Sequence, residues 1–233
     1  MFGGKNKAVT FSYDDGVLQD VRTIEILNKY GLKATFNINS GLLGLSRTLP
    51  LSTGDGFVDH SSVKAGDIRS VYKGHEVAAH TLTHPSLPKQ TDEEISRQVE
   101  EDRLALSSLV GYEVVGLAYP GGGENNDDRV ARIIRETTGI KYARTIASTY
   151  SFTSQDNLLR FNPTMHHNEA FRRKDLIEKF LQTEFDEPAI LYIWGHSYEF
   201  DARNTWQDFE RLCQLVSGRD DIFYGTNREI FGI

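Results

Sequence analysis

The chain has 233 residues, a formal net charge of −7 and one cysteine. That length suits a single domain with a large core, the negative balance argues against a nucleic-acid-binding surface, and a lone Cys213 excludes a disulfide framework. No apolar run approaches the ~20 residues of a membrane-spanning helix.

With Met1 as the natural start, residues 1–7 lack the apolar stretch of a secretory signal, so a cytoplasmic location is the expectation. The first predicted strand, residues 8–11, is apolar and β-branched. It runs into Tyr13-Asp14-Asp15-Gly16. Neighbouring side chains of a strand face opposite ways, so both carboxylates can serve one site only if the chain turns there, which Gly16 permits. Taken alone, Asp-Asp-Gly reads as an ordinary hairpin turn. Two adjacent carboxylates at a buried strand end are nonetheless costly unless a cation lies between them.

Residues 19–30 have helical spacing and stop at Gly31, and 32–38 form a second strand. Residues 39–61 lack periodicity and read as a long loop over the site, with His60 solvated. A short helix across 62–72 precedes a strand at 75–79, whose first residue, His75, reads as structural. That strand runs into His80 and His84. Spacing of four sets both imidazoles on one side of a helical turn that Pro85 ends at His84. Two imidazoles and one carboxylate make a facial ligand set for zinc or a similar transition metal.

Thr91-Asp92-Glu93-Glu94 is a capping box opening a helix that reaches Gly111. A strand at 114–119 ends in Pro120-Gly121-Gly122-Gly123, and a helix at 126–138 leads to a strand at 140–145. In the polar stretch 147–159, Tyr150 and Phe152 are candidate sugar-stacking surfaces. A short strand at 161–165 leads to His166 and His167. Then come a helix (171–182), a strand (189–194), a helix (205–216) with Cys213 packed inside, and a closing strand (222–224). This alternation predicts an α/β fold with a parallel sheet and crossover helices. Chemistry grouped at the C-terminal ends of strands favours a barrel.

Tyr13-Asp14-Asp15-Gly16 and His80-Thr81-Leu82-Thr83-His84 resemble the first two motifs of the NodB-type polysaccharide deacetylases, carbohydrate esterase family 4. Ile190-Leu191-Tyr192-Ile193-Trp194-Gly195-His196 resembles the closing motif. The resemblance implies one catalytic domain over residues 1–233, an irregular (β/α) barrel of about seven parallel strands. It implies metal-assisted removal of an acyl group, acetyl above all, from an N-acylated sugar or glycan. Asp15, His80 and His84 would hold one divalent ion, zinc first, with cobalt, nickel or manganese as alternatives. Asp14 would be the general base, the Gly121 N–H a donor to the oxyanion, and His196 the general acid. Many relatives are exported to act on wall polymers, which a cytoplasmic chain would not do.

Two positions depart from the family pattern. Ala118 stands where an arginine usually pairs with the base, and Arg144 is the candidate replacement. The Asp and Trp that orient the catalytic histidine have no counterpart between residues 142 and 156, leaving Glu199 or Asp201 to orient His196. Tyr119, Trp194, Tyr198, Arg144 and one of His166 and His167 are candidate substrate contacts. Two other readings stand beside the deacetylase: a metal-dependent hydrolase of a small cyclic amide, imide or ureide, and a non-catalytic carbohydrate-binding relative.

Overall fold

The computed structural model describes residues 2–51 and 54–233. In chain order the first half contains β1 (Lys7–Asp14), α1 (Asp20–Lys29), β2 (Ala34–Ile38), β3 (Thr48–Pro50), β4 (Phe57–Asp59), α2 (Ile68–Val71), β5 (Glu76–Ala79) and α3 (Asp92–Val110). The second half contains β6 (Gly116–Ala118), α4 (Asp128–Thr137), β7 (Tyr142–Arg144), β8 (Met165–His166), α5 (His167–Ala170), α6 (Lys174–Gln182), β9 (Ala189–His196), α7 (Tyr198–Arg203), α8 (Trp206–Val216), β10 (Ile222–Tyr224) and α9 (Asn227–Phe231).

β1 is buried along its whole length because it is the centre of the sheet. On one edge β9 runs parallel to all of it, from Lys7 opposite Ala189 to Asp14 opposite His196. The other edge is shared: β10 pairs with its first residues and β2 with Phe11 to Asp14. The main sheet path is β7-β6-β5-β2-β1-β9-β8, all parallel, matching the expected strand number, with β10 in addition. Phe161 bridges Arg144 of β7, and Met165 of the same segment pairs with β9. Residues 161–165 thus link the two ends of the path, and the sheet curls into an irregular barrel. Parallel strands put every C-terminal end on one rim. Asp14, His80, Tyr119, Arg144 and His196 all sit there.

Local chemistry sets the helix ends. The Thr91 hydroxyl accepts the Glu94 N–H at 3.2 Å, and Gly111, at φ 82°, ends α3 in the left-handed region. The expected capping box is only half made, since the Glu94 carboxylate turns to Arg97 and Gln98 instead. Residues 39–61 are not a bare loop either; β3 and β4 form an antiparallel hairpin within them. Phe152 packs in the core against Phe180 rather than offering a stacking surface, while Tyr150 is exposed and bonded to Glu169. His75 is structural as expected. Its Nδ1 accepts the Ala34 N–H at 3.1 Å, and its Nε2–H donates to Asn28. Cys213 is buried, and no helix among the described residues is long and apolar enough to cross a membrane.

Candidate active site

Asp14 is the last residue of β1, and the chain leaves the strand at Asp15 (φ 80°) and Gly16 (φ 62°). Glycine is required at 16 twice over. The positive φ favours it, and a Cβ there would lie 2.9 Å from Cγ2 of Ile38. Both carboxylates line one cavity of about 820 Å³ at the C-terminal rim, and each has its own surroundings.

Asp14 is enclosed by donors. Nη2 of Arg144 lies 2.5 Å from both carboxylate oxygens, and Asn37 Nδ2 donates to Oδ1 at 2.8 Å. Arg144 is fully buried, lies 4.4 Å from the Trp194 ring centroid and donates to the Thr145 carbonyl. It therefore occupies the electrostatic place left by Ala118, and it stands behind Asp14 rather than in the cavity wall, so it is not a substrate contact. Burial alone would raise the Asp14 pKa. The guanidinium and nearby imidazoles outweigh burial and hold it below the ordinary carboxylate range.

Asp15 faces imidazoles. Its Oδ1 lies 3.6 Å from His80 Nε2 and 3.7 Å from His84 Nε2. The two histidines do not share a helical turn as the spacing predicts. Thr81 and His84 both have positive φ, at 70° and 62°, and the loop is held by tertiary bonds. The Asn39 amide donates to the carbonyls of His80 and Thr81, and the His80 N–H reaches the Asp102 carboxylate at 2.9 Å. His80 Nδ1 donates to the Ala118 carbonyl at 2.8 Å, which leaves a lone pair on Nε2. That Nε2 is buried without a protein partner. Burial also pushes the His80 pKa down to about 4, so the ring is neutral, as a metal ligand must be.

One ligand atom each from Asp15, His80 and His84 lie within 4.8 Å of one another. Ligands ~2.1 Å from a shared tetrahedral centre are themselves roughly 3.4 Å apart, so the contacts of 3.6 and 3.7 Å fit a single ion. His60 is the residue that the sequence misjudged. It is buried, and its Nε2 donates to Asp15 Oδ2 at 3.1 Å, leaving Oδ1 to face the other two histidines. The segment carrying it is stitched to the Asp15 turn: Leu18 N–H donates to Ser61, Val63 N–H donates to Gly16, and Val17 bridges Ser62. Burial would raise the Asp15 pKa, but the His60 bond and the surrounding imidazoles win and lower it.

β9 delivers His196 to the far side of Asp14, with Nε2 4.0 Å from Asp14 Oδ2. Its Nδ1 donates to Glu199 Oε1 at 3.1 Å. Glu199, the second residue of α7, is thus the orienting carboxylate. Asp201 instead accepts from the Trp206 indole. Gly195 stays in register opposite Tyr13, and a Cβ there would lie 2.2 Å from His167 Nδ1. The glycine makes room for a buried ring. His167 stacks on Phe171 and donates from Nε2 to Glu199 Oε2 at 3.0 Å, where Asn168 also donates at 2.5 Å. His166 packs edge-on against Trp194. Neither histidine lines the cavity, so neither is a substrate contact; both rings lie against Glu199, His166 with Nε2 3.6 Å from Oε2 and His167 through its hydrogen bond. Burial would depress the His196 pKa. Glu199 and the two aspartates outweigh it and raise the pKa to about 9.

Tyr119, Trp194, Tyr198 and Gly121 do line the cavity. The Tyr119 hydroxyl is committed to the Leu159 carbonyl at 2.7 Å, leaving its ring as wall. Gly121, at φ 84°, is held through its carbonyl by Asn125 at 2.9 Å.

A family model described as polysaccharide deacetylase matches residues 3–143, more than half of the 233. Peptidoglycan-N-acetylglucosamine deacetylase PgdA of Listeria monocytogenes, in three strains, is 28% identical over 122 residues. Those residues cover 52% of this chain and 22% of that protein, so the chain spans under a quarter of the length of the curated relatives it matches. Among solved structures, the Xyl-CE4 domain of a multidomain xylanase from the hindgut metagenome of Trinervitermes trinervoides has a TM-score of 0.60 at 15% identity, covering 97% of this chain and 90% of that one. A family 4 carbohydrate esterase from Streptomyces lividans in complex with acetate has a TM-score of 0.56 at 15% identity, covering 95% and 93%. A CE4 family pseudoenzyme from Bacillus anthracis has a TM-score of 0.53 at 19% identity, covering 97% and 66%. At these identities the structural likenesses carry the fold alone.

Proposed function

The chain belongs to the polysaccharide deacetylase family, and from that premise we propose that it hydrolyses the N-acyl group, acetyl above all, of an amino sugar or short glycan. The observation that carries this reading is the His80 Nε2 lone pair, buried and unpartnered, facing Asp15 and His84. Asp15, His80 and His84 would hold the divalent ion, with zinc best suited to a carboxylate and two imidazoles. When bound, such an ion polarises a carbonyl oxygen and brings the pKa of water down to ~7.

The chain's own groups then divide the proton transfers. Asp14, kept ionised by Arg144 and Asn37, takes a proton from the attacking water. The Gly121 N–H donates to the oxygen on which negative charge develops. His196 carries its transferable proton on Nε2, because Nδ1 is tied to Glu199, and gives it to the leaving amine. Its raised pKa keeps it protonated at neutral pH. Trp194, Tyr198 and the Tyr119 ring form apolar wall for the sugar and its acyl group. The Listeria relative's name gives peptidoglycan as one kind of acetylated glycan to test.

The test is metal titration of the purified protein, followed by assay of N-acetyl sugars, chito-oligomers, peptidoglycan fragments and cyclic imides with zinc or cobalt. Acetate release from an amino sugar is the expected result. Turnover of cyclic imides alone would move the substrate class, and metal binding with no turnover across the panel would leave a carbohydrate-binding protein.

A further inference from the structure

The segment between β2 and α2 supplies one wall of the cavity through Asn39, Leu42, Arg47, Thr48, Leu49 and His60. In that wall Arg47 is a cation without a counter-charge. Its Nη2 donates to Ser62 Oγ at 3.1 Å, and its Nε is buried with no partner. Among the described residues no carboxylate lies within the 4.0 Å of an ion pair, although the chain has 33 acidic residues. A buried N–H left unmade costs free energy unless something absent from the chain completes it.

The rest of the cavity lining offers Arg47 no free counter-charge. Its acidic residues are Asp14 and Asp15. Arg144 already pairs with Asp14, and three imidazoles surround Asp15. With Asp14 balanced by Arg144 and Asp15 ringed by imidazoles, Arg47 is the uncompensated charge of this cavity, in a protein that is net negative. Such a concave positive site draws anions. A guanidinium is also the side chain whose N–H pairs match the oxygens of a carboxylate or phosphate.

We propose that Arg47 binds an anionic group, a carboxylate or a phosphate, carried by the acylated amino sugar, so that the substrate is an acidic rather than a neutral N-acyl sugar. This rests on the deacetylase reading and names the class of sugar it acts on. Arg47 is then a specificity residue: it holds the sugar by a group remote from the amide.

The experiment compares kcat/KM of the zinc-loaded protein on N-acetylglucosamine, N-acetylglucosamine 6-phosphate, N-acetylglucosamine 1-phosphate and N-acetylmuramic acid. The ratio of anionic to neutral substrate is the readout, which cancels any general loss from misfolding. The wild type favours at least one anionic sugar, the phosphate and carboxylate arms showing which. Arg47→Gln lowers that ratio roughly 10- to 100-fold, the worth of a charged hydrogen bond, and Arg47→Lys keeps part of it. A wild-type ratio near one, or a ratio unchanged in Arg47→Gln, overturns the proposal while leaving the deacetylase reading intact. If the wild type hydrolyses none of these monosaccharides, the deacetylase reading stands or falls on the oligomer and peptidoglycan arms of the panel above, and calorimetric titration with the same sugars decides the anion site by itself. Tighter anionic binding that Arg47→Gln abolishes supports it; equal affinity in both proteins overturns it.

Discussion

Asp14 and Asp15 are adjacent in sequence and differ in what neutralises them. Asp14 meets a guanidinium that is charged at every pH of interest, so its charge is already balanced. Asp15 meets three imidazoles, of which His80 is held neutral by burial. The buried His80 Nε2 lone pair beside the Asp15 carboxylate invites a cation, whereas a carboxylate locked to arginine invites a proton donor. On the proposed function the two halves of the cavity would do different work, metal holding on the Asp15 side and proton transfer on the Asp14–His196 side.

Removing His80 tests that division most severely. His80→Ala should empty the Asp15 side, with metal stoichiometry falling from one towards zero. Turnover should fall by ~10³-fold or more, since the ion is worth several kcal/mol of barrier. Metal analysis beside the rate assay checks both, and retention of a full equivalent at unchanged affinity would remove His80 from the ligand set.

Arg144→Ala should strike the other half and leave metal in place. It strands a buried carboxylate, at a cost of about 3–5 kcal/mol in unfolding free energy. Arg144 is the chief group lowering the Asp14 pKa, so without it that pKa rises. The acid limb of the kcat/KM profile therefore moves to higher pH. Denaturant unfolding and the pH–rate profile of the zinc-loaded variant read these separately.

Glu199→Gln is the milder disturbance of the same half. The bond to Glu199 is the foremost of the interactions, with Asp15 and Asp14, that raise the His196 pKa to about 9, so the amide should let it fall. A general acid acts while protonated, and the alkaline limb of the profile should move to lower pH, with a loss of ~10²-fold at neutral pH. The linkage has a matching sign. The stability from a raised histidine pKa is complete below ~6.5 and is lost as pH rises through about 9. Wild-type stability should thus drop across that window more steeply than that of Glu199→Gln. An unmoved alkaline limb would mean that His196 is not the acid.

His60→Ala should have the smallest effect. It removes a bond to Asp15 Oδ2 but no ligand, so metal affinity should fall ~10- to 100-fold, as for other partners of a ligating carboxylate. With saturating metal most of the turnover should return. A full loss of metal would promote His60 to a direct ligand and blur the contrast between the two sides.

Much of the Asp15 side was legible in the chain itself. A β-branched strand ending in Asp14-Asp15-Gly16, two histidines four apart before Pro85, and an apolar run ending in His196 are patterns only a few residues long. Each is weak alone, since Asp-Asp-Gly by itself reads as a hairpin turn, and they gain meaning together and through the family resemblance. The alternation of strand and helix likewise marked a parallel sheet, and β10 falls on the residues expected.

On the Asp14 side the sequence offered candidates, Arg144 for Asp14 and Glu199 or Asp201 for His196, and tertiary structure decided them. Arg144 is 130 residues from Asp14, and their meeting depends on the curl of the sheet that brings β7 and β1 to one rim. Glu199 rather than Asp201 orients His196 because of how α7 leaves β9, and His167 reaches Glu199 only through the space above Gly195. His60 is drawn inward by backbone bonds between residues 61–63 and 16–18. Even the turn from His80 to His84 was misjudged locally, because bonds from Asn39 and Asp102 hold it where Thr81 and His84 take positive φ. Periodicity records which face of an element is apolar. It carries no information on which distant charge will face a given carboxylate, because that depends on strand order and register across the whole barrel.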